Sequence, residues 1–231
     1  MQASADDTLS TAPRSREQQR EKTRARMLQA TLQIIIEDGM RAVRHRAVAK
    51  RAGVSLGSTT YHFKTIEDLI ISAFRYWREQ ALLVENPFYQ QVQALMAPYN
   101  GKPVPEIDRV DIAARVLDIS VGYLAHQLAG RREDRLLELA FHHESVRYPT
   151  LHQLVMEEWQ AQVAFLVEVH RAMGSTQPEV DAGITSALFR QLEQSTVLSM
   201  RPEPDMALIR ATLHRHLGMS LGLKLPRQAR S

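Results

Sequence analysis

Apolar positions recur at helical spacing along almost the whole chain. Leu28, Thr31, Leu32 and Ile35 form one stripe at i, i+3, i+4 and i+7, which predicts a helix from Arg16 to Asp38 closed by Gly39. Two short helical stretches follow, about Arg46 to Ala52 and Leu56 to His62, separated by Gly53-Val54-Ser55. A fourth helix opens at Thr65, where Thr65 and Asp68 have capping-box spacing, and runs past Leu69, Phe74 and Trp77 to about Val84. Beyond Asn86-Pro87 and the Pro98–Pro105 loop come five longer patterns, spanning 107–129, 131–148, 150–173, 178–200 and 205–217. Their breakers are Gly130, Pro149, Gly174, Pro202 and Gly218. No run alternates apolar and polar with a period of two, so strands are not expected. The chain reads as all-α.

The same pattern divides the chain. Residues 1–15, rich in Ser, Thr, Ala and Asp, read as a disordered tail. Residues 16–84 form a small helical domain with a linking helix, 85–220 a larger helical domain, and 221–231 a second tail.

Composition narrows the functional classes. Of 231 residues 44% are hydrophobic, no residue is Cys, and no stretch approaches the ~18 apolar residues that a membrane span needs. Disulfides and thiol chemistry are thereby excluded, and the polar start lacks the basic-then-apolar order of a secretory leader. The expectation is a cytoplasmic protein with no membrane partner. The net charge is only +3, but it is uneven: residues 1–64 hold twelve Lys or Arg against six Asp or Glu. A basic head on a mildly acidic body suits contact with a polyanion.

The informative segment is Ala47 to Phe63. Gly53 can adopt the positive φ that a sharp helix-to-helix turn requires, and Ser55 can cap the helix after it. That second helix carries Leu56, Gly57, Ser58, Thr59, Thr60, Tyr61 and His62, mostly small or hydrogen-bonding residues that build a poor core helix. Short side chains allow close approach to base edges, and hydroxyls donate or accept there. The reading is a helix-turn-helix that binds double-stranded DNA.

At these residues the chain resembles the TetR family of bacterial repressors. The resemblance covers about Met27 to Phe74 and rests on Leu28-Gln-Ala-Thr-Leu, Gly39, Val48-Ala49, Ala52-Gly53-Val54-Ser55, Gly57, Phe63 and Glu67-Asp68-Leu69. It implies a three-helix DNA-binding head and a C-terminal bundle that dimerises. It also implies a homodimer on a near-palindromic operator, released by a small-molecule effector of unknown identity. Carried over by position, Ser55 to His62 matches the groove-reading helix, and Arg44, His45 and Arg46 match positions that touch phosphate. Lys22 and Arg24 lie in a basic N-terminal extension. Thr60 stands where relatives often have Tyr, and Ile66 replaces a frequent Lys, leaving His62 and Lys64 as substitutes. The cationic set should govern strength and the Ser, Thr, Tyr and His set, Thr59 included, should govern sequence preference.

The larger domain offers weaker signals. His142-His143-Glu144, with His126, Glu138 and His152 around it, invites a metal-sensor or metal-enzyme reading. Adjacent histidines on a helix point about 100° apart, however, so the bland reading as ordinary polar positions is preferred and no cofactor is expected. No nucleophile elbow or phosphate-cradling glycine loop is present, so an enzyme is not expected. Tyr123, His126, Phe141, His142, Ser145 and Trp159 are the expected lining of an effector pocket. Leu154, Phe165, Val169, Leu188 and Leu192, on two long late helices, are the expected dimer interface, with domain interior as the alternative.

Overall fold

The computed structural model describes residues 12–83, 87–129, 132–198 and 203–226. Among these, all regular structure is helical: α1 (Ala12–Asp38), α2 (His45–Ala52), α3 (Leu56–His62), α4 (Ile66–Leu83), α5 (Pro87–Met96), α6 (Glu106–Leu128), α7 (Arg132–Ser145), α8 (Pro149–Ala172), α9 (Pro178–Leu198) and α10 (Met206–Ser220). Single 3-10 turns lie at Met40–Ala42 and Ala97–Tyr99. α1 starts four residues earlier than the stripe predicts, with Pro13 in its first turn, where a missing N–H costs nothing. α5 was not foreseen as a helix. Its ten residues are too few for a periodicity argument, but Phe88 and Val92 one turn apart are both buried.

Local chemistry explains most boundaries. Thr65 and Asp68 form the reciprocal capping box, each backbone N–H 3.0 Å from the other's side-chain oxygen. α8 begins at Pro149 itself, the position a helix tolerates best for proline. Gly218, expected to stop the last helix, lies inside it. The stop is Gly222 at φ 64, where Leu223 N–H bonds Gly218 C=O at 3.0 Å and Gly222 N–H bonds Met219 C=O at 3.4 Å. A Cβ on Gly218 would meet the Leu223 carbonyl at 3.1 Å, so that glycine serves close approach instead.

The chain divides into two compact units, one of residues 1–84 with Leu139–Leu151, the other of Glu85–Glu138 with His152–Ser231. This corrects the expectation of contiguous domains: Leu139–Leu151 belongs with the N-terminal unit. The reason is aromatic. Phe141, fully buried, stacks on Trp77 at 5.7 Å between centroids and meets Phe74 edge-on at 5.3 Å. Met27, Leu28, Val43, Val48, Phe63 and Leu69 fill the rest of that unit's core. The second unit packs around α6, whose Ile112, Val116, Leu117 and Leu124 meet Ile209, Leu213 and Leu217 of α10.

Candidate nucleic-acid interface

α2 and α3 are joined by a turn that only glycine fits well. Gly53 has φ 64 and ψ 41, and the two N–H groups of Gly53 and Val54 return to Lys50 and Ala49 carbonyls. The Arg26 guanidinium donates to the Ala52 carbonyl at 2.5 Å, and a Cβ on Gly53 would come within 3.2 Å of it. Ser55 caps α3 by accepting from Ser58 N–H at 3.1 Å. α3 is therefore pinned at its start by a cap and at its end by buried Phe63.

With the helix fixed, its faces are decided. Leu56, Gly57, Thr60 and Tyr61 are exposed, Tyr61 to 60%, and Ser55 and Lys64 flank them. Ser58 and His62 are half-buried. Thr59 is a correction: it is fully buried and its hydroxyl donates to Leu56 C=O at 2.8 Å, so it braces the head and does not face a groove. The reason is the helical period. Thr59 precedes the buried Phe63 by four, which puts it on the inward side of the helix. Arg44 and Arg46 are exposed at the start of α2, while His45 is half-buried with an unpartnered Nδ1.

Tyr61 is the centre of a cationic cluster. The Arg20 guanidinium donates to Tyr61 Oη at 3.2 Å and lies 5.6 Å from the ring centroid, with the Lys64 ammonium 6.0 Å away. Arg24 lies 5.6 Å from the Phe63 ring. Arg20 was missed in the sequence. The available signal was Arg16, Arg20 and Arg24 at four-residue spacing, one face of α1. The pKa of His62 is lowered, first by burial and then by the Arg20 and Arg24 charges, with Glu21 opposing. A phosphate brought to this cluster would act in the other direction and favour its protonated form.

The expected effector-pocket residues do not gather. A cavity in the second unit is lined by Phe88, Val116, Ser120, His170, Thr185 and His216 among others, and none of Tyr123, His126, Phe141, His142, Ser145 or Trp159 lines it. Phe141, His142 and Ser145 belong to the other unit. Tyr123 instead donates to Glu193 Oε1 at 2.9 Å, and Trp159, 37% exposed, donates to Ser186 Oγ at 3.3 Å. Helical periodicity marks which residues are apolar, but not which helix faces which. Of the expected dimer set, Val169, Leu188 and Leu192 pack on their own unit's core, and Phe165 meets the rings of Phe88 and Tyr89. Val169 also lines the cavity, and Leu154 is half-buried. Among the described residues, no three His, Asp or Glu side chains come together as metal ligands would, and no helix is long and apolar enough to cross a membrane.

Known proteins match this arrangement. Residues 27–73 match the family described as bacterial regulatory proteins, tetR family. The HTH-type transcriptional regulator Rv2912c of Mycobacterium tuberculosis is 32% identical over 126 residues, 54% of this chain and 62% of that protein. The match thus spans less than two thirds of the relative's length. Among solved structures, a TetR-family member from Streptomyces coelicolor, SCO1917, superposes with a TM-score of 0.60 at 25% identity, covering 84% of this chain and 97% of that one. The multidrug binding protein EbrR complexed with ethidium gives 0.56 at 25% identity, covering 84% and 97%.

Proposed function

We propose that the chain, whose residues 27–73 match the bacterial regulatory proteins of the tetR family, is a cytoplasmic, homodimeric transcriptional repressor of that family and not an enzyme. It binds a palindromic DNA operator and leaves it when a small molecule occupies the second unit. The observation that carries this reading is α3. Its Leu56, Gly57, Thr60 and Tyr61 stand exposed on a pinned helix, with Arg20 and Lys64 at Tyr61 and the exposed Arg44 and Arg46 at the start of α2. A helix built this way gains nothing for its own fold and suits a major groove, with cations for the phosphates beside it.

The dimer is supported by α8 and α9. Trp159, Val180 and Ile184 are exposed apolar residues there, in place of the more buried set read from the sequence. A two-fold pairing of such helices would make an isologous interface. Effector control is supported by the cavity in the second unit and by the ligand complexes of EbrR. A ligand that favours one packing of the paired second units changes the separation of the two α3 helices, which must be about 34 Å or a multiple of it. The coupling is reciprocal, so operator DNA weakens ligand binding by the same factor by which ligand weakens DNA binding. Gel-shift titration of the full chain against its own upstream region tests the reading. Retention at low salt with loss on raising salt is expected, and affinity no higher than for random duplex refutes it.

A further inference from the structure

Two arginines one turn apart on α1 meet α3. Arg24 lies 5.6 Å from the Phe63 ring, while Arg20 lies 5.6 Å from the Tyr61 ring and donates to its Oη at 3.2 Å. Successive turns of one helix therefore hold the aromatic residues at 61 and 63. α1 is firmly placed for this: Met27 and Leu28 are fully buried in the head, and Arg26 bonds the Ala52 carbonyl. The Tyr61 ring also has the Lys64 ammonium 6.0 Å away and meets the His62 ring edge-on at 5.3 Å. A side chain 60% exposed would otherwise turn among several rotamers and lose that freedom on docking. Arg20 lies outside the segment 27–73 that matches the regulatory family, so that match does not account for its hold on Tyr61.

The hydrogen bond fixes which way the phenol works. A guanidinium has donors and no acceptor, so Tyr61 Oη accepts from Arg20 and keeps its own proton to give elsewhere. Among the described residues the Tyr61 oxygen has this one hydrogen bond. A phenol that already accepts from a cation is a better donor and a poorer acceptor. The positive charges of Arg20 and Lys64 beside the ring act in the same sense, favouring a lone pair over a second N–H. In the major groove guanine shows two acceptors, N7 and O6, and cytosine shows only its amino donor. Thymine shows one acceptor, and adenine one of each kind. A donor-only phenol therefore fits guanine best and cytosine worst. Without Arg20, the same oxygen would accept from an amino group as readily as it donates.

Resting on the DNA-binding reading above, we propose that Arg20 is a positioning residue that holds Tyr61 as a hydrogen-bond donor, and that Tyr61 so held selects guanine at one position of each operator half-site. The remaining N–H groups of Arg20 serve neighbouring phosphates, a contribution common to every duplex. The effect of Arg20 on sequence runs through Tyr61 alone.

The test is selection from a pool of random duplexes by the full chain, run in parallel for wild type, Tyr61→Phe, Arg20→Ala and the double variant. Gel-shift titration then compares the wild-type site with duplexes carrying each other base pair at the implicated position. Both altered side chains are exposed, so the variants should unfold at the wild-type midpoint. Wild type should enrich one guanine per half-site, and exchanging it for cytosine should weaken binding about tenfold, the worth of one hydrogen bond. Tyr61→Phe should lose that preference while the other positions stay enriched. Arg20→Ala should lose it too and also bind random duplex more weakly. In the Tyr61→Phe background, Arg20→Ala should leave the base preferences unchanged. If Arg20→Ala weakens all duplexes alike and the preference stands, Arg20 binds phosphate only and the proposal is overturned. A Tyr61-dependent preference for cytosine overturns it as well. A wild type that enriches no sequence removes the DNA-binding reading along with it, whereas a symmetric site with the same bases in all four proteins sinks this proposal alone.

Discussion

On α3 the hydroxyl of Thr60 and the phenol of Tyr61 face solvent, whereas in the second unit Ser120, His170, Thr185 and Glu193 are shut in among apolar side chains. Exposed polar groups on a short helix cost its fold little, so their choice is governed by what lies outside. Buried polar groups must find partners inside, at a cost of roughly 1–3 kcal/mol for each one that fails. The first region shows its partner by what it leaves open. The second leaves one such group, His170 Nδ1, without a hydrogen-bond partner.

The largest effect that sharpens this contrast is at Phe141. As a buried ring between Trp77 and Phe74 it is part of the first unit's core, so Phe141→Ala should cost about 3–5 kcal/mol in denaturant unfolding. A ligand-lining Phe141 would instead leave stability nearly intact.

Next is Glu193, which accepts from Tyr123 and pairs with Arg135 at 3.4 Å. Burial, with Glu138 nearby, pushes its pKa from 4.5 up to about 7. Between those values the folded protein holds a proton that the unfolded chain has released, so stability falls as pH rises through that window. The stability of wild type relative to Glu193→Gln should therefore drop by up to roughly 3 kcal/mol between pH 4.5 and 7.5. A pH-independent difference would place Glu193 in a wetter site than the fold gives it.

Smaller effects separate the two faces of α3. Tyr61→Ala should weaken binding to the preferred DNA sequence by about 1–2 kcal/mol and change stability by less than about 0.5 kcal/mol. Thr59→Ala should do the reverse, losing about 1 kcal/mol of stability with its buried hydroxyl bond. If Thr59 alters sequence preference and Tyr61 does not, the faces are assigned wrongly. Smallest is Arg44→Ala, which should weaken all duplexes alike and reduce the slope of log K against log salt by about one.

The head was the more legible region because its signals are local. Gly53, the Ser55 cap and the Thr65–Asp68 box each act within four residues, so the sequence shows them directly. Where a local rule met a tertiary one, it failed: the hydroxyl-rich α3 concealed that Thr59 lies on the inward stripe with Phe63. Arg20 lies 41 residues from Tyr61, and no spacing rule joins them. The second unit was legible as helices but not as a site. His170, Thr185 and His216 come from three helices and meet only once those helices pack.

The central claim is that α3 reads duplex DNA as one of a symmetric pair. Its most direct test is selection by the purified full chain from a pool of random duplexes. The account predicts enrichment of a two-fold symmetric sequence whose half-sites lie about 10 base pairs, or a multiple of that, apart. A pool that stays random, or that yields an asymmetric site, would contradict it.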